Sequence, residues 1–174
     1  MSAVIESSGS RGELKGAAGD DILQLVTFTL GNEDYAVDIL KVQEINRMKE
    51  ITRVPNSPPY VEGVINLRGK VIPVVNLRAK FGLPQKDSDE QARIMIMDIQ
   101  GITMGLVVDA VSEVLRIPAS TVEPTPPMAS HISSEFIRGI AKLDERLIIL
   151  LDMDRLLGRA EGTAMIESSA RAIE

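Results

Sequence analysis

The chain of 174 residues is 44% hydrophobic and has no cysteine, so it can bury a packed core while disulfides, thiolate zinc sites and cysteine nucleophiles are all excluded. A formal charge of −6 and an aromatic fraction of 3% argue against holding nucleic acid by bulk field or base stacking. No apolar run exceeds the five residues Leu147–Leu151, against the ~20 a membrane span needs, so direct membrane insertion is not expected and a reducing cytoplasm is.

Residues 1–21 carry much Gly, Ser and Ala with scattered charges and read as a disordered tail without an apolar signal region. Leu25–Leu30 is β-rich, and Gly31, Asn32, Glu33 and Asp34 supply turn chemistry before Tyr35–Val37, which predicts a hairpin. Asp38 is placed to cap a short helical turn through Val42. Ile45–Met48 and Ile51–Val54 read as extended, with Pro55, Pro58 and Pro59 interrupting. Val64–Leu67 and Lys70–Val75 flank Arg68-Gly69, a tight turn in which glycine provides positive φ. Beyond the polar stretch Pro84–Gln91, strands are predicted over Arg93–Ile99 and Ile102–Val108. Asp109 is read as capping a second short helical turn before the extended Leu115–Ile117. A loop rich in Pro and Ser, Pro118–Ser134, leads to strands Phe136–Leu143 and Arg146–Leu151, and residues 159–174 read as a tail or short helix.

Val71–Val75 and Leu147–Leu151 are apolar at nearly every position, whereas a half-exposed strand alternates. Both faces of each are therefore covered, which in an all-β chain implies two barrels or sheets packed on each other. Pro73 cannot donate to a ladder and is expected at an edge or a bulge.

The chain also repeats itself. Val61–Gly82 aligns without gaps to Ile137–Gly158, matching Gly63 with Gly139, Leu67 with Leu143, Lys70 with Arg146 and Gly82 with Gly158. Asn76 falls on Asp152, and both are good caps for a short helix that Gly82 or Gly158 would end. Upstream, Val42-Gln-Glu-Ile45 resembles Val111-Ser-Glu-Val114. Two related β units follow, residues 22–82 and 92–158, between which strands can be exchanged.

These residues carry a resemblance to a known family. Phe28-Thr-Leu-Gly31, then Tyr35 through Ile45, the run Val61-Glu-Gly-Val-Ile-Asn-Leu-Arg-Gly69 with Val74–Arg78 behind it, and Gly105–Val114 together resemble the CheW family over Gln24–Gly158. The resemblance implies two small five-stranded barrels of the SH3/OB kind, packed pseudo-symmetrically with short helices, over residues 22–158. It implies no catalytic activity and no cofactor. Two partners are implied: the cytoplasmic tip of methyl-accepting chemoreceptors, and the CheW-like regulatory domain of the histidine kinase CheA. No phosphotransfer, ATP-binding or receiver segment accompanies the resemblance, which favours a stand-alone cytoplasmic adaptor recruited to membrane receptor arrays. A pilus or other non-flagellar pathway would use the same adaptor. An oligonucleotide-binding barrel is the rival binding reading, opposed by the charge and the scarce aromatics.

Four residues are candidates for the receptor-facing surface that the resemblance implies: Val42, Glu44, Gly63 and Arg68. Arg68 aligns with Asp144 whereas Glu44 aligns with the acidic Glu113, so a Glu/Arg combination is expected in the first unit alone. Its alternative reading is a surface ion pair of small net worth, and Val42 alone would be core. The kinase surface is expected on the second unit, without residue assignments. The single histidine, His131, would need a carboxylate and a facing serine to act in catalysis, and a solvated loop histidine is the simpler reading. Asp152 and Asp154 lack further ligands nearby, so no metal site is expected, and Asp20-Asp21 lacks the alternating strands and helices of a receiver.

Overall fold

A computed structural model describes residues 21–87, 89–125 and 136–157; the N-terminal tail, the loop carrying His131, Gly158 and the helix expected over 159–174 lie outside them. The strands are β1 (Ile22–Leu30), β2 (Glu33–Asp38), β3 (Val42–Arg47), β4 (Val61–Leu67), β5 (Lys70–Asn76), β6 (Arg93–Ile99), β7 (Ile102–Val108), β8 (Ala110–Pro118), β9 (Val122–Glu123), β10 (Ile137–Leu143) and β11 (Arg146–Leu151). One-turn helices α1 (Leu77–Lys80) and α2 (Met153–Leu156) follow β5 and β11.

The strands form two sheets, in the orders β3-β6-β7-β5-β4 and β8-β1-β2-β11-β10-β9. Each closes on itself. In the first barrel the chain just past β3 returns to β4 through a bridge between Thr52 and Val64, with hydrogen bonds of 2.9 and 2.8 Å. In the second, β8 bends through a 3₁₀ turn at Ala119–Thr121 into β9, which pairs with β10. The sixth strand is thus the continuation of a bent fifth. Each barrel has one parallel pair, β5 with β7 and β2 with β11. Hairpin β1–β2 sits in the sheet of β8–β11, and hairpin β6–β7 sits in the sheet of β3–β5. The described chain therefore passes between barrels twice, at Asp38–Val42 and at Asp109.

Burial alternates between different cores along the doubly covered strands. Ile72 and Val74 of β5 fill the first barrel with Ile94 and Ile96, while Val75 joins the layer between the barrels. Ile148 and Leu150 of β11 fill the second barrel, and Ile149 and Leu151 face the shared layer. Continuous apolarity is the signature of this arrangement, because a strand with a period of two here meets an apolar environment on both sides.

The repeat is visible in local geometry. The Asn76 side chain accepts from the Ala79 amide at 3.1 Å, and that of Asp152 accepts from the Arg155 amide at 3.2 Å. Gly82, at φ 74°, ends α1. β4 and β10 carry a bulge at the same place, between Val61 and Gly63 and between Ile137 and Gly139. Both glycines admit the strand segment that closes the barrel. A Cβ on Gly63 would lie 2.2 Å from the Thr52 carbonyl oxygen, and one on Gly139 would lie 2.5 Å from Val122 Cγ1. β3 and β8 share a second bulge, at Gln43 and Ser112. The buried Thr27 hydroxyl binds the backbone of Glu113 beside it, at 3.1 Å each to carbonyl and amide.

Four local expectations are corrected. Asp38 caps its turn, accepting from Leu40 at 2.9 Å, but Asp109 caps nothing, because it is the single residue between β7 and β8 and leaves no room for a turn. Pro73 lies inside a sheet rather than at an edge. It is tolerated because the parallel ladder with β7 begins one residue later, at Val74. Extended pairing over Ile51–Val54 is reduced to Thr52, and the first hairpin turns on Gly31 and Asn32, with Glu33 and Asp34 already in β2.

The Asp109 carboxylate instead accepts from Arg78 Nε at 3.0 Å and Nη2 at 2.7 Å, and from the Gly31 amide at 2.8 Å. Burial alone would raise its pKa, but the Arg78 and Gly31 hydrogen bonds and the Arg78 charge outweigh burial and hold it below the usual carboxylate range. A depressed carboxyl contributes stability that is complete above the unfolded pKa of about 3.9 and is lost as pH falls through the lower folded value. Urea melts below about pH 4 should therefore show a steep acid loss that Asp109→Asn flattens; an equally steep loss in the variant would place the acid sensitivity elsewhere. Barrel closure makes a second prediction. Gly63→Ala should cost about 2–5 kcal/mol through overlap and backbone strain at φ 151°, and Gly139→Ala about 1–3 kcal/mol, because its nearest neighbour, Val122, is a side chain that can yield and the Glu123 carbonyl oxygen, at 2.9 Å, is overlapped less deeply than that of Thr52. A Gly63→Ala melt within about 0.5 kcal/mol of the parent would contradict the closure contact.

Candidate functional site

The β3 bulge and the β4–β5 turn build the first surface. Arg68 and Gly69 both have positive φ, 52° and 86°, which turns the chain in two residues, and Asn66 Oδ1 accepts from the Gly69 amide at 2.9 Å. The turn projects the Arg68 guanidinium onto the Glu44 carboxylate, Nη1 reaching Oε1 at 3.3 Å and Nη2 reaching Oε2. The pair is superficial, with the Arg68 side chain 70% exposed and that of Glu44 28%. Hydrogen bonding from Arg68 is the main reason the Glu44 carboxyl is held below its ordinary range. Both groups stay ionised near neutrality.

Of the four sequence candidates, Glu44 and Arg68 are thus in direct contact. Val42, across the bulged Gln43 from Glu44, is half-buried against the shared core. Gly63 is buried beneath Thr52 and offers no surface of its own. Ile45 and Val71, each about 40% exposed, are the outward aliphatic side chains of this barrel.

The second barrel repeats the arrangement, and here the expectation of a one-sided pair is overturned. Glu113, beside the Ser112 bulge, accepts from Arg146 Nη1 at 2.9 Å, and Arg146 also reaches Asp34 at 3.5 Å. The partner arginine is displaced from the turn to the first residue of β11, so aligning Arg68 with Asp144 hid it. The signal was the neighbouring match of Lys70 with Arg146. Val114 and Leu147, 54% and 60% exposed, occupy the positions of Ile45 and Val71. Each barrel thus presents a glutamate–arginine pair and, at matching positions, two exposed aliphatic residues.

Two further carboxylates that the sequence singled out are engaged structurally. Asp152 caps α2 and Asp154 reaches Lys41 at 3.4 Å. Among the described residues no three His, Cys, Asp or Glu side chains are grouped to hold a metal ion. A polar hollow of about 450 Å³ is walled by Arg53, Glu62, Asn76, Arg78 and Asp109, and the last four hydrogen-bond to neighbouring groups rather than converging on its centre. No helix among the described residues is long and apolar enough to cross a membrane.

Comparison with known proteins agrees with this architecture. The model of the CheW-like domain family matches residues 24–161. The chain is 38% identical to a chemotaxis protein CheW of Klebsiella aerogenes, over 89% of this chain and 93% of that protein. It is 30% identical to the Bacillus subtilis chemotaxis protein CheW, over 84% and 94% respectively. The crystal structure of the scaffolding protein TtCheW from Thermoanaerobacter tengcongensis superposes with a TM-score of 0.74 at 38% identity, covering 83% of this chain and 94% of that one. With two closed barrels, a family match over residues 24–161 and relatives up to 38% identical over most of both chains, the chain belongs to the CheW family of non-catalytic chemotaxis scaffold proteins.

Proposed function

We propose that this protein joins the cytoplasmic tips of chemoreceptors to the histidine kinase CheA, working in the cytoplasm at membrane receptor arrays. The observation that carries the reading is the duplicated surface: one molecule offers two related but distinct faces. Holding one partner on each raises the effective concentration of each for the other. The first barrel faces the receptor through Val42, Glu44 and Arg68. A helical hairpin tip laid against a partly apolar strand would be oriented by the charge pair at its margin. Gly63 acts from beneath, by allowing the barrel to close. The second barrel takes the regulatory domain of the kinase, which is itself CheW-like. Related barrels then pack as a pseudo-dimer, with Val114 and Leu147 as the apolar contacts and Glu113–Arg146 beside them.

Arg68→Glu places two carboxylates together at an exposed site. It should leave the urea midpoint nearly unchanged while lowering receptor-dependent kinase activation several-fold, and Glu44→Arg combined with it should recover part of the loss. Undiminished activation by the single variant would remove Arg68 from the surface. On the second barrel, Val114→Glu with Leu147→Glu should weaken binding of the isolated CheA regulatory domain by about tenfold or more. Receptor binding should stay intact. If the double variant loses the receptor and keeps the kinase, the two faces are assigned the wrong way round.

A further inference from the structure

The two crossings between barrels are restrained very differently. At Asp38–Val42 the chain takes a 3₁₀ turn, and Lys41 meets Asp154 in a single contact of 3.4 Å between side chains 35% and 39% exposed. At Asp109 the crossing residue is clasped from both barrels. Arg78, from α1 of the first barrel, supplies two hydrogen bonds, and Gly31, from the β1–β2 turn of the second, supplies a third. The Asp109 amide donates to the Thr29 carbonyl at 3.1 Å, and Arg78 Nη1 donates to the Pro84 carbonyl at 2.6 Å. The two side chains are only 14% and 16% exposed.

The layer between the barrels differs in kind from the barrel interiors. Met95, Met97, Met104 and Met153 are buried there among branched and aromatic side chains, whereas the fully buried members of the interior clusters are Leu, Ile, Val and Ala, with the partly buried Met48 packed against the first. Branched side chains fix each barrel internally, while unbranched thioethers allow a layer to repack as its two sides shift.

We infer that Arg78 and Asp109 are positioning residues that pin the second crossing, so that the barrels shift about it as two bodies and the pin sets the spacing between their partner-binding faces. Neither residue touches a partner in this scheme. Their effect reaches the kinase through the relative placement of the barrels, a hinge-type transmission. The coupling role rests on the adaptor reading above; the pin itself does not.

The absence of native cysteine makes the geometry directly measurable. Arg47→Cys on β3 and Arg116→Cys on β8, both exposed, place one nitroxide label on each barrel of the full chain for pulsed electron spin resonance. The parent should give one narrow distance distribution, broadened by Arg78→Met or Asp109→Asn, largely restored by Arg78→Lys, and unaffected by Lys41→Met. In unlabelled protein, Arg78→Met should cut receptor-dependent kinase activation about fivefold, while separate affinities for receptor and for CheA each stay within about twofold. Urea melts identify variants still folded, and Arg78→Gln, which loses the charge but keeps a polar side chain, serves as the disrupting variant should Arg78→Met and Asp109→Asn unfold. Unchanged distances in every folded variant overturn the pin. Broadened distances with full activation overturn the coupling role, as does a loss of activation that merely follows a loss of either affinity. If the parent binds neither partner, the adaptor reading fails while the distances still test the pin.

Discussion

Everything in this molecule depends on the apolar layer between the barrels. It holds the buried aromatic rings, with Phe28 stacked on Tyr35 at 5.8 Å and Tyr35 against Phe81 at 5.7 Å. Each barrel alone is a small cylinder whose interior admits only a handful of aliphatic side chains. Such a core is marginal for an isolated domain of that size. The shared layer supplies the missing burial, and the outward faces of β1, β5, β6 and β11 must then be as apolar as their inward faces. The polar hydroxyl of Tyr35 leaves the layer by donating to Glu33 at 2.6 Å.

Much of this was legible in the sequence because it rests on local rules. Asn76 and Asp152 cap because their short side chains reach the amide three residues on, and the matched Gly63 and Gly139 marked positions where no side chain fits. The continuous apolarity of β5 and β11 announced two covered faces. What escaped was set by spatial neighbours. Asp109 looked like Asp38, and only the position of Arg78 and the Gly31 amide shows why its carboxylate has another role. The second glutamate–arginine pair escaped for a related reason. A repeat alignment compares equal positions, whereas an ion pair needs only that two flexible side chains meet, and Arg146 reaches Glu113 from two residues further along its hairpin.

Among the described residues several well-formed polar interactions tie chain segments to one another. Arg78 serves a crossing, Thr27 steadies a bulge and Asp152 caps a helix. The two superficial glutamate–arginine pairs stand apart, since exposed ion pairs contribute little to stability yet orient an approaching partner strongly.

The hairpin exchange has a consequence for how the chain comes into being. Strands β3, β4 and β5 leave the ribosome before β6 and β7, so the first barrel stays open, with unpaired strand edges, until the second half of the message is being read. Hairpin β1–β2 waits longer still, for β11 near the other end. The first barrel, β3–β7, can close once β7 has emerged, whereas the second is completed only by β8–β11, so the last step of maturation depends on contacts distant in sequence. A duplication whose copies had kept their own hairpins would have placed two barrels in tandem, each from one continuous stretch of chain. The exchange instead nests the continuous first barrel inside the second, whose strands lie on both sides of it in the chain.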